Sequence, residues 1–374
     1  MAAILMINVP YAGHTNPTLP LAEALVRHGH KVSYINAEEF RNKIESTGAE
    51  FIPYRNYPAS PTEQQKKTKC FRAAFDTAIN LEQKFDLLIY EMFFYPGIKI
   101  AEKLCIPCVR QFSQPAWNQK TLSKATWFFK LSCVLIDFQV MRKKNARYME
   151  LTHKTLGEAV VKDKPLLNIV YVPQIFQTDR ESFGEDYLFV VTEYKSNSVS
   201  QQIPYEKMKS PIVYISLGSI ISNKGFCKEC IRAFGNKDMS VILNTGKVRT
   251  ETLGKIPENI YAYSFVSQLE VLQHADAFLT HCGMNSVNEA MSYGVPMVAM
   301  PFINDQISNA KQIVELGIGK RVRSFPSSGR QLYRTVKDVC NDIHIRNRSR
   351  EVQSLLKREA TLEEAVCRIE KLLD

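Results

Sequence analysis

Residues 281–306, HCGMNSVNEAMSYGVPMVAMPFINDQ, hold the densest set of chemically useful side chains in this sequence. The run 277–281 before them predicts a buried strand, and residues 285–293 predict a helix. The turn between them therefore lies at a helix N-terminus, where unpaired backbone N–H groups and the helix dipole favour an anion. Gly283 lets the backbone of this turn approach a bound group closely. The stretch predicts a turn that binds a diphosphate.

The polar side chains that follow suit the other parts of a sugar linked to a nucleotide. Asn285 and Ser286 can cap the helix or donate to phosphate oxygens. Glu289, one turn into the helix, can accept both hydroxyls of a ribose. A second short strand, PMVAMP, then leads to Asp305 and Gln306 at the start of the next helix. Each residue alone has an ordinary structural explanation, but the ordered set favours a nucleotide-sugar site.

Length and composition describe an ordinary globular protein with two domains. The chain has 374 residues, more than one hydrophobic core usually serves, with 45% hydrophobic and 23% charged residues. It contains no apolar run near the ~20 residues that cross a bilayer. The opening AAILMINV leads into PYAGH and predicts a first strand, not a signal peptide. We therefore expect a soluble, cytoplasmic protein.

The net charge of +10 is divided evenly between the two halves of the chain. Basic clusters at 66–69, 142–147 and 346–350 are interpreted as solvated helix faces. Peripheral contact with an anionic membrane is a secondary interpretation. A nucleic-acid partner is not predicted, because no concentrated basic face stands out.

The nine cysteines are scattered, which favours a reducing compartment over a disulfide framework. Two CxxC pairs, Cys105/Cys108 and Cys227/Cys230, have a spacing that could supply zinc ligands. The first pair leads into an apolar strand and the second falls in an amphipathic helix, so we interpret all four as buried thiols. No metal or other cofactor is predicted.

Strand and helix patterns alternate along both halves of the chain, which predicts parallel sheets covered by helices. In the first half, strands are expected at 3–9, 31–36, 50–53, 85–90 and 107–112, with helices at 16–27 and 37–47. The aromatic-rich segment 113–157 interrupts this alternation; it could cover a hydrophobic groove, although core packing is the default interpretation.

A polar, proline-containing stretch at 194–211 predicts the linker between two domains. Five further strand patterns follow it: IVYISLG, SVILNTG, IYAYSFV, AFLTH and PMVAM. The fold class is therefore α/β, with two doubly wound, Rossmann-like parallel-sheet domains at 1–200 and 201–374, the second ending in helices. We expect the two domains to face a central cleft, where ligands bind in this architecture.

Three segments give the chain a family resemblance: residues 8–34, 212–219 and 264–306. Through these segments, nearly the whole chain resembles the inverting UDP-glycosyltransferases of the GT-B fold. Within that family, it is most similar to the bacterial macrolide-glycosyltransferase branch. The third segment is the most specific. The resemblance implies an N-terminal acceptor-binding domain and a C-terminal domain that binds the nucleotide-sugar.

The resemblance also implies roles for individual residues. His14 matches the catalytic base, and Glu91 its acidic partner, where the family more often has aspartate. Phe265 matches the ring that stacks on the nucleobase, where many relatives have tryptophan. The other implied donor contacts are Val266 and Gln268 for the base edge, Ser219, His281, Gly283, Asn285 and Ser286 for the diphosphate, Glu289 for the ribose, and Asp305 with Gln306 for the sugar hydroxyls.

The implied reaction is an inverting, metal-free transfer from a UDP-sugar to a hydroxyl of a small, largely apolar acceptor such as a macrolide or flavonoid. Glucose is the expected sugar because of Asp305 and Gln306, with galactose, N-acetylglucosamine or a deoxysugar as the alternatives. UDP is favoured over TDP only through Glu289, which can bind a ribose 2′-hydroxyl. A neutral imidazole suits the base because its pKa lies near cellular pH.

Two other functions remain open from the sequence. A lipid glycosyltransferase at a membrane surface is motivated by the net charge and by Trp127, Phe128 and Phe129 near the basic residues 142–144. A nucleotide-sugar-binding protein without catalysis is motivated by the glutamate at position 91. A dinucleotide oxidoreductase is excluded, because no GxGxxG follows the first strand.

Overall fold

The computed structural model describes residues 1–124, 143–151, 155–192, 202–218, 223–302, 305–323 and 328–373. The chain divides into two compact units, one of Met1–Thr192 with Glu359–Asp374 and one of Glu193–Arg358. The last residues of the chain, Glu359–Asp374, thus belong to the first unit. The division predicted from the sequence, 1–200 and 201–374, places them in the second domain.

The first unit is built on a seven-stranded parallel sheet with the order β3-β2-β1-β4-β5-β6-β7. Its strands are β1 (Ala3–Ile7), β2 (Lys31–Asn36), β3 (Glu50–Pro53), β4 (Leu87–Glu91), β5 (Cys108–Phe112), β6 (Leu167–Val170) and β7 (Tyr187–Phe189). Its helices are α1 (Ala12–Thr15), α2 (Leu19–Arg27), α3 (Arg41–Glu45), α4 (Glu63–Ile79), α5 (Gly97–Leu104), α6 (Gln119–Lys124), α7 (Lys143–Tyr148) and α8 (Leu156–Lys162). Because β1 pairs with both β2 and β4, the order reverses at β1, which is where doubly wound sheets bind ligands.

The second unit repeats this plan with a six-stranded parallel sheet of order β10-β9-β8-β11-β12-β13. Its strands are β8 (Ile212–Ser216), β9 (Ser240–Asn244), β10 (Ile260–Tyr263), β11 (Ala277–Thr280), β12 (Met297–Ala299) and β13 (Gly319–Arg321). Its helices are α9 (Lys224–Phe234), α10 (Gln268–His274), α11 (Met284–Ser292), α12 (Asp305–Glu315), α13 (Gly329–Asn341) and α14 (Ile343–Leu356). Here β8 pairs with both β9 and β11.

The final helix, α15 (Leu362–Glu370), returns to the first unit. Its residues Ala365, Val366 and Ile369 are buried in the same apolar cluster as Leu21 and Leu25 of α2. Apolar residues at spacings of three and four form one face of the helix, and that face supplies the burial that holds it there.

The fold class predicted from the alternation is confirmed, since both units are Rossmann-like parallel sheets with helices. All the predicted strands are present, with ends displaced by at most a few residues, while β6, β7 and β13 were not predicted. Among the described residues, no helix is both long and apolar enough to span a membrane.

Candidate active site

The end of β1 carries His14 in a turn that is fixed by buried polar groups. The strand runs through fully buried apolar residues and is followed by Asn8, which is also fully buried. The side-chain amide of Asn8 donates to the backbone oxygen of His14 (2.9 Å) and to the hydroxyl of Thr18 (3.1 Å). His14 lies in the one-turn helix α1 that follows. These bonds hold the imidazole at the carboxyl end of the sheet.

Glu91 is the last residue of β4, the strand next to β1 in the sheet. Its carboxylate Oε1 lies 3.0 Å from Nδ1 of His14, and its side chain is fully buried. The other oxygen, Oε2, accepts the backbone N–H of Phe93 at 2.9 Å. The structure therefore brings together the two residues that the sequence paired, and a glutamate is long enough to make the contact.

The surroundings of His14 leave its imidazole partly accessible beside aromatic rings. Its side chain is 23% exposed. Its ring meets that of Phe93 edge to face at 4.7 Å, and Trp117 lies 6.2 Å beyond Phe93. With Nδ1–H donating to a carboxylate, Nε2 on the opposite edge of the ring carries the lone pair. The arrangement can take a proton at Nε2 and stabilise the imidazolium that results.

In the second unit, His281 follows β11 and is buried between two glycines. A Cβ added to Gly283 or to Gly218 would come within 2.5 Å of the imidazole ring, so only glycine fits at either position. Burial lowers the pKa of His281 to about 4, and the ring is therefore neutral near pH 7. Nδ1 has no hydrogen-bond partner among the residues that the structure describes.

Helix α11 starts immediately after this turn, with Gly283 as its N-cap. No side chain caps the helix, so Asn285 and Ser286 do not take the capping role that the sequence allowed them. They lie instead in the first turn of the helix, where backbone N–H groups lack intrahelical partners. The predicted succession of a strand, a glycine and a helix N-terminus is thus present, and its binding of an anion stays a prediction.

Glu289 is held by the side chain of Gln268, the first residue of α10. Its Oε2 accepts from Gln268 Nε2 at 2.5 Å, and the same nitrogen lies 3.1 Å from the hydroxyl of Ser286. The hydroxyl of Tyr214 donates to Gln268 Oε1 at 3.4 Å. Burial raises the pKa of Glu289 to about 7, and the bond from Gln268 opposes that rise. A carboxylate of this kind can accept two hydroxyls when it is ionised.

The remaining predicted donor residues follow β10 and β12 of the second sheet. Phe265 follows β10 with 69% of its surface exposed, whereas Val266 is buried. An exposed aromatic ring of this size can stack on a flat ligand. Gln306 is buried in the first turn of α12, where its Oε1 accepts the backbone N–H of Phe302 at 2.9 Å, and Asp305 begins that helix. Ser219 lies outside the described residues.

The cysteine pairs do not form a metal centre in the part of the chain that the structure describes. There, no group of three or more His, Cys, Asp or Glu residues is placed to hold a metal ion. Cys108, Cys227 and Cys230 are buried free thiols, whereas Cys105 is exposed. Burial raises the pKa of Cys108 to about 12 and that of Cys227 to about 11, so both are protonated near neutral pH.

Comparison with known proteins identifies the family. The profile of a family described as UDP-glucoronosyl and UDP-glucosyl transferase matches residues 202–370. NDP-glycosyltransferase YjiC of Bacillus subtilis is 31% identical, over 99% of this chain and 97% of that protein. The chain belongs to the UDP-glycosyltransferase family. It is therefore a nucleotide-sugar-dependent glycosyltransferase that transfers a glycosyl group to an acceptor.

Other relatives define the branch and the fold of this glycosyltransferase. Oleandomycin glycosyltransferase of Streptomyces antibioticus is 24% identical over 99% of this chain and 90% of that protein. The crystal structure of the glycotransferase of kitacinnamycin matches with a TM-score of 0.82 and 26% identity, covering 100% of this chain and 99% of that one. The GT-B fold and the macrolide-glycosyltransferase branch predicted from the sequence are confirmed.

Sequence reasoning missed Ser113, which lies beside His14 and Glu91. It directly follows β5, the strand beside β4, and its hydroxyl lies 2.9 Å from His14 Nδ1. The sequence signal that could have identified Ser113 is its position as a polar residue immediately after a parallel strand, since such positions share one edge of the sheet. The aromatic residues at 127–129 and the basic residue at 142, which motivated the membrane alternative, lie outside the described residues.

Proposed function

We propose that the protein is an inverting glycosyltransferase that moves glucose from UDP-glucose to a hydroxyl of a small, largely apolar acceptor. His14 removes the acceptor proton while the acceptor oxygen attacks the anomeric carbon. The bond from that carbon to the diphosphate breaks, UDP leaves with the electron pair, and the configuration inverts to a β-glycoside. No metal or other cofactor takes part in this scheme.

The observation that carries the proposal is the contact between His14 and Glu91. A fully buried carboxylate 3.0 Å from Nδ1 stabilises the imidazolium that forms when Nε2 takes a proton. General-base catalysis of this kind contributes typically about 10²- to 10⁴-fold in rate. The pair also argues against a protein that only binds nucleotide-sugars, because binding needs no base beside a buried carboxylate.

The features that follow β11 support the donor side of the proposal. The backbone N–H groups at the start of α11 and the neutral His281 can donate to a diphosphate without adding a fixed charge. Glu289, one turn along the same helix, supports a ribose with two hydroxyls, as in UDP. Asp305 and Gln306 at the start of α12 support a hexose with several hydroxyls.

Two observations support an apolar acceptor. The His14 imidazole contacts an aromatic ring, Phe93, in an edge-to-face arrangement, and Phe93 itself lies against Trp117. A flat or hydrophobic molecule gains most from burial against such rings. The names of relatives point the same way, since they include oleandomycin glycosyltransferase and demethyllactenocin mycarosyltransferase.

The first experiment identifies an acceptor and the second tests the base. Mass spectrometry of reactions containing UDP-glucose and a panel of phenols and macrolides should reveal a hexosylated product, whose anomeric proton coupling reports the configuration. With that acceptor, His14→Ala should lower turnover by about 10²-fold or more. Calorimetry should give an unchanged Kd for UDP.

A matched control and a clear contrary outcome complete the test. His344→Ala alters an exposed histidine of α14 and should leave turnover and UDP affinity unchanged. Near-normal turnover of the His14→Ala enzyme would remove the imidazole from the reaction, and an α-configured product would refute inversion.

A further inference from the structure

Ser113 contacts both members of the proposed catalytic pair. Its hydroxyl oxygen lies 2.9 Å from His14 Nδ1 and 3.1 Å from Glu91 Oε1. The residue is only 4% exposed, so the hydroxyl has little access to water. The three side chains come from the ends of β1, β4 and β5, which are adjacent in the sheet. They form a closed triangle of hydrogen-bonding groups.

The protons of this triangle can be placed from chemistry alone. An ionised carboxylate only accepts hydrogen bonds, so both Ser113 and His14 must donate to Glu91. Because the single hydroxyl proton of Ser113 then bonds to Glu91, the Ser113 oxygen can only accept a hydrogen bond. It accepts from Nδ1–H of His14. The opposite arrangement would put an unprotonated Nδ1 lone pair 3.0 Å from the carboxylate oxygen, which is repulsive. The triangle is therefore consistent with one histidine tautomer only.

We propose that Ser113 is a positioning residue that keeps the proton of neutral His14 on Nδ1, so that Nε2 is the basic atom. This inference rests on the proposed role of His14 as the base. Ser113 acts through the imidazole and the carboxylate, and it does not itself touch the reacting atoms.

Because residue 91 is a glutamate, a second hydrogen-bond donor that restrains its carboxylate is useful. Glutamate has one more rotatable bond than aspartate, so it loses more conformational freedom when it is fixed. The Ser113 hydroxyl restrains Oε1, and the Phe93 N–H restrains Oε2. Together, these two donors fix the carboxylate in one orientation, in which it faces Nδ1 of His14.

The tautomer can be measured directly, without knowing the acceptor. Nitrogen-15 NMR of histidine-labelled protein above pH 8 should show His14 with a protonated Nδ1 and an unprotonated Nε2, the signal being assigned by its loss in His14→Ala. In Ser113→Ala, Glu91 Oε1 loses the donor that restrains it and its contact with Nδ1 loosens, so the two nitrogens should shift toward each other as the tautomers mix. Ser113→Thr keeps the hydroxyl and should retain the wild-type pattern. An unprotonated Nδ1 in the wild-type protein, or an unchanged pattern in Ser113→Ala, would overturn the inference.

Kinetics with the acceptor found above separate positioning from folding. Ser113→Ala should lower kcat about five- to thirtyfold and leave the KM for UDP-glucose unchanged. In a His14→Ala background, the serine change should have no further effect, because the group it positions is gone. The exposed Ser46→Ala is the matched control.

The outcomes distinguish the two proposals. If Ser113→Ala lowers the residual rate of His14→Ala by the same factor as in the wild type, the serine acts through packing and the inference fails. If His14→Ala itself is fully active, the proposed base fails, whatever the serine does.

Discussion

Replacing Glu91 with aspartate would shorten the side chain that contacts His14, and we expect the change to damage this enzyme. The change removes one methylene and withdraws the carboxylate by roughly 1.5 Å, the length of one C–C bond. The present distance from Oε1 to His14 Nδ1 is 3.0 Å, so it would grow toward about 4.5 Å, beyond hydrogen-bond range. The backbone cannot follow easily, because Glu91 is the last residue of β4 and is in register with Gln111 of β5.

The magnitude follows from the bond that is lost. A hydrogen bond to a charged group is worth about 1.5–3 kcal/mol. Since about 1.4 kcal/mol corresponds to a factor of ten in rate, kcat should fall about 10- to 150-fold. The affinity for UDP should stay unchanged, because the predicted donor residues belong to the other unit.

Steady-state kinetics of Glu91→Asp, Glu91→Gln and the control Glu102→Asp would test this reasoning. Glu102 is exposed on α5, so the same shortening there should change nothing. Glu91→Gln keeps the length but not the charge, and it should lower kcat more than it raises the acceptor KM. Wild-type kcat in Glu91→Asp would show that the reach of the glutamate is not what pairs it with His14.

Three further predictions concern the donor side. Gly283→Ala should weaken UDP binding about tenfold by calorimetry, because its Cβ would lie 2.5 Å from Nε2 of His281. Gly157→Ala is the control, since its Cβ makes only an ordinary 3.5 Å contact. Equal UDP affinities of the two variants would refute the steric argument. UDP affinity should rise from pH 6 to pH 8 as Glu289, with its pKa near 7, becomes ionised, and Glu289→Gln should remove that dependence. The pKa of Glu289 in the folded protein lies above the ordinary value of a glutamate, so the ligand-free protein should lose stability as pH rises from about 4.5 to 7. The Tm of Glu289→Gln should fall less than that of the wild type over that range.

Most strands were predicted from the sequence, whereas β6, β7 and β13 were not. β2 (Lys31–Asn36) and β3 (Glu50–Pro53) match their predicted bounds. β13 (Gly319–Arg321) has the sequence GKR, which carries no apolar run, and its pairing with β12 comes from the tertiary structure. The position of α15 was also unpredictable, since an apolar helix face does not specify which core it will cover.

By itself, the sequence determined what is local: two alternating α/β domains, a helix N-terminus behind Gly283, and a carboxylate one turn later at Glu289. These features lie within one strand, turn and helix, where backbone geometry fixes the distance between neighbours. Only the tertiary structure decided that Ser113 joins His14 and Glu91, and that Gln268 holds Glu289. The first contact depends on which strand ends become adjacent when a sheet assembles, and the second on how two helices pack. Both are set by packing of the whole domain, not by any local pattern.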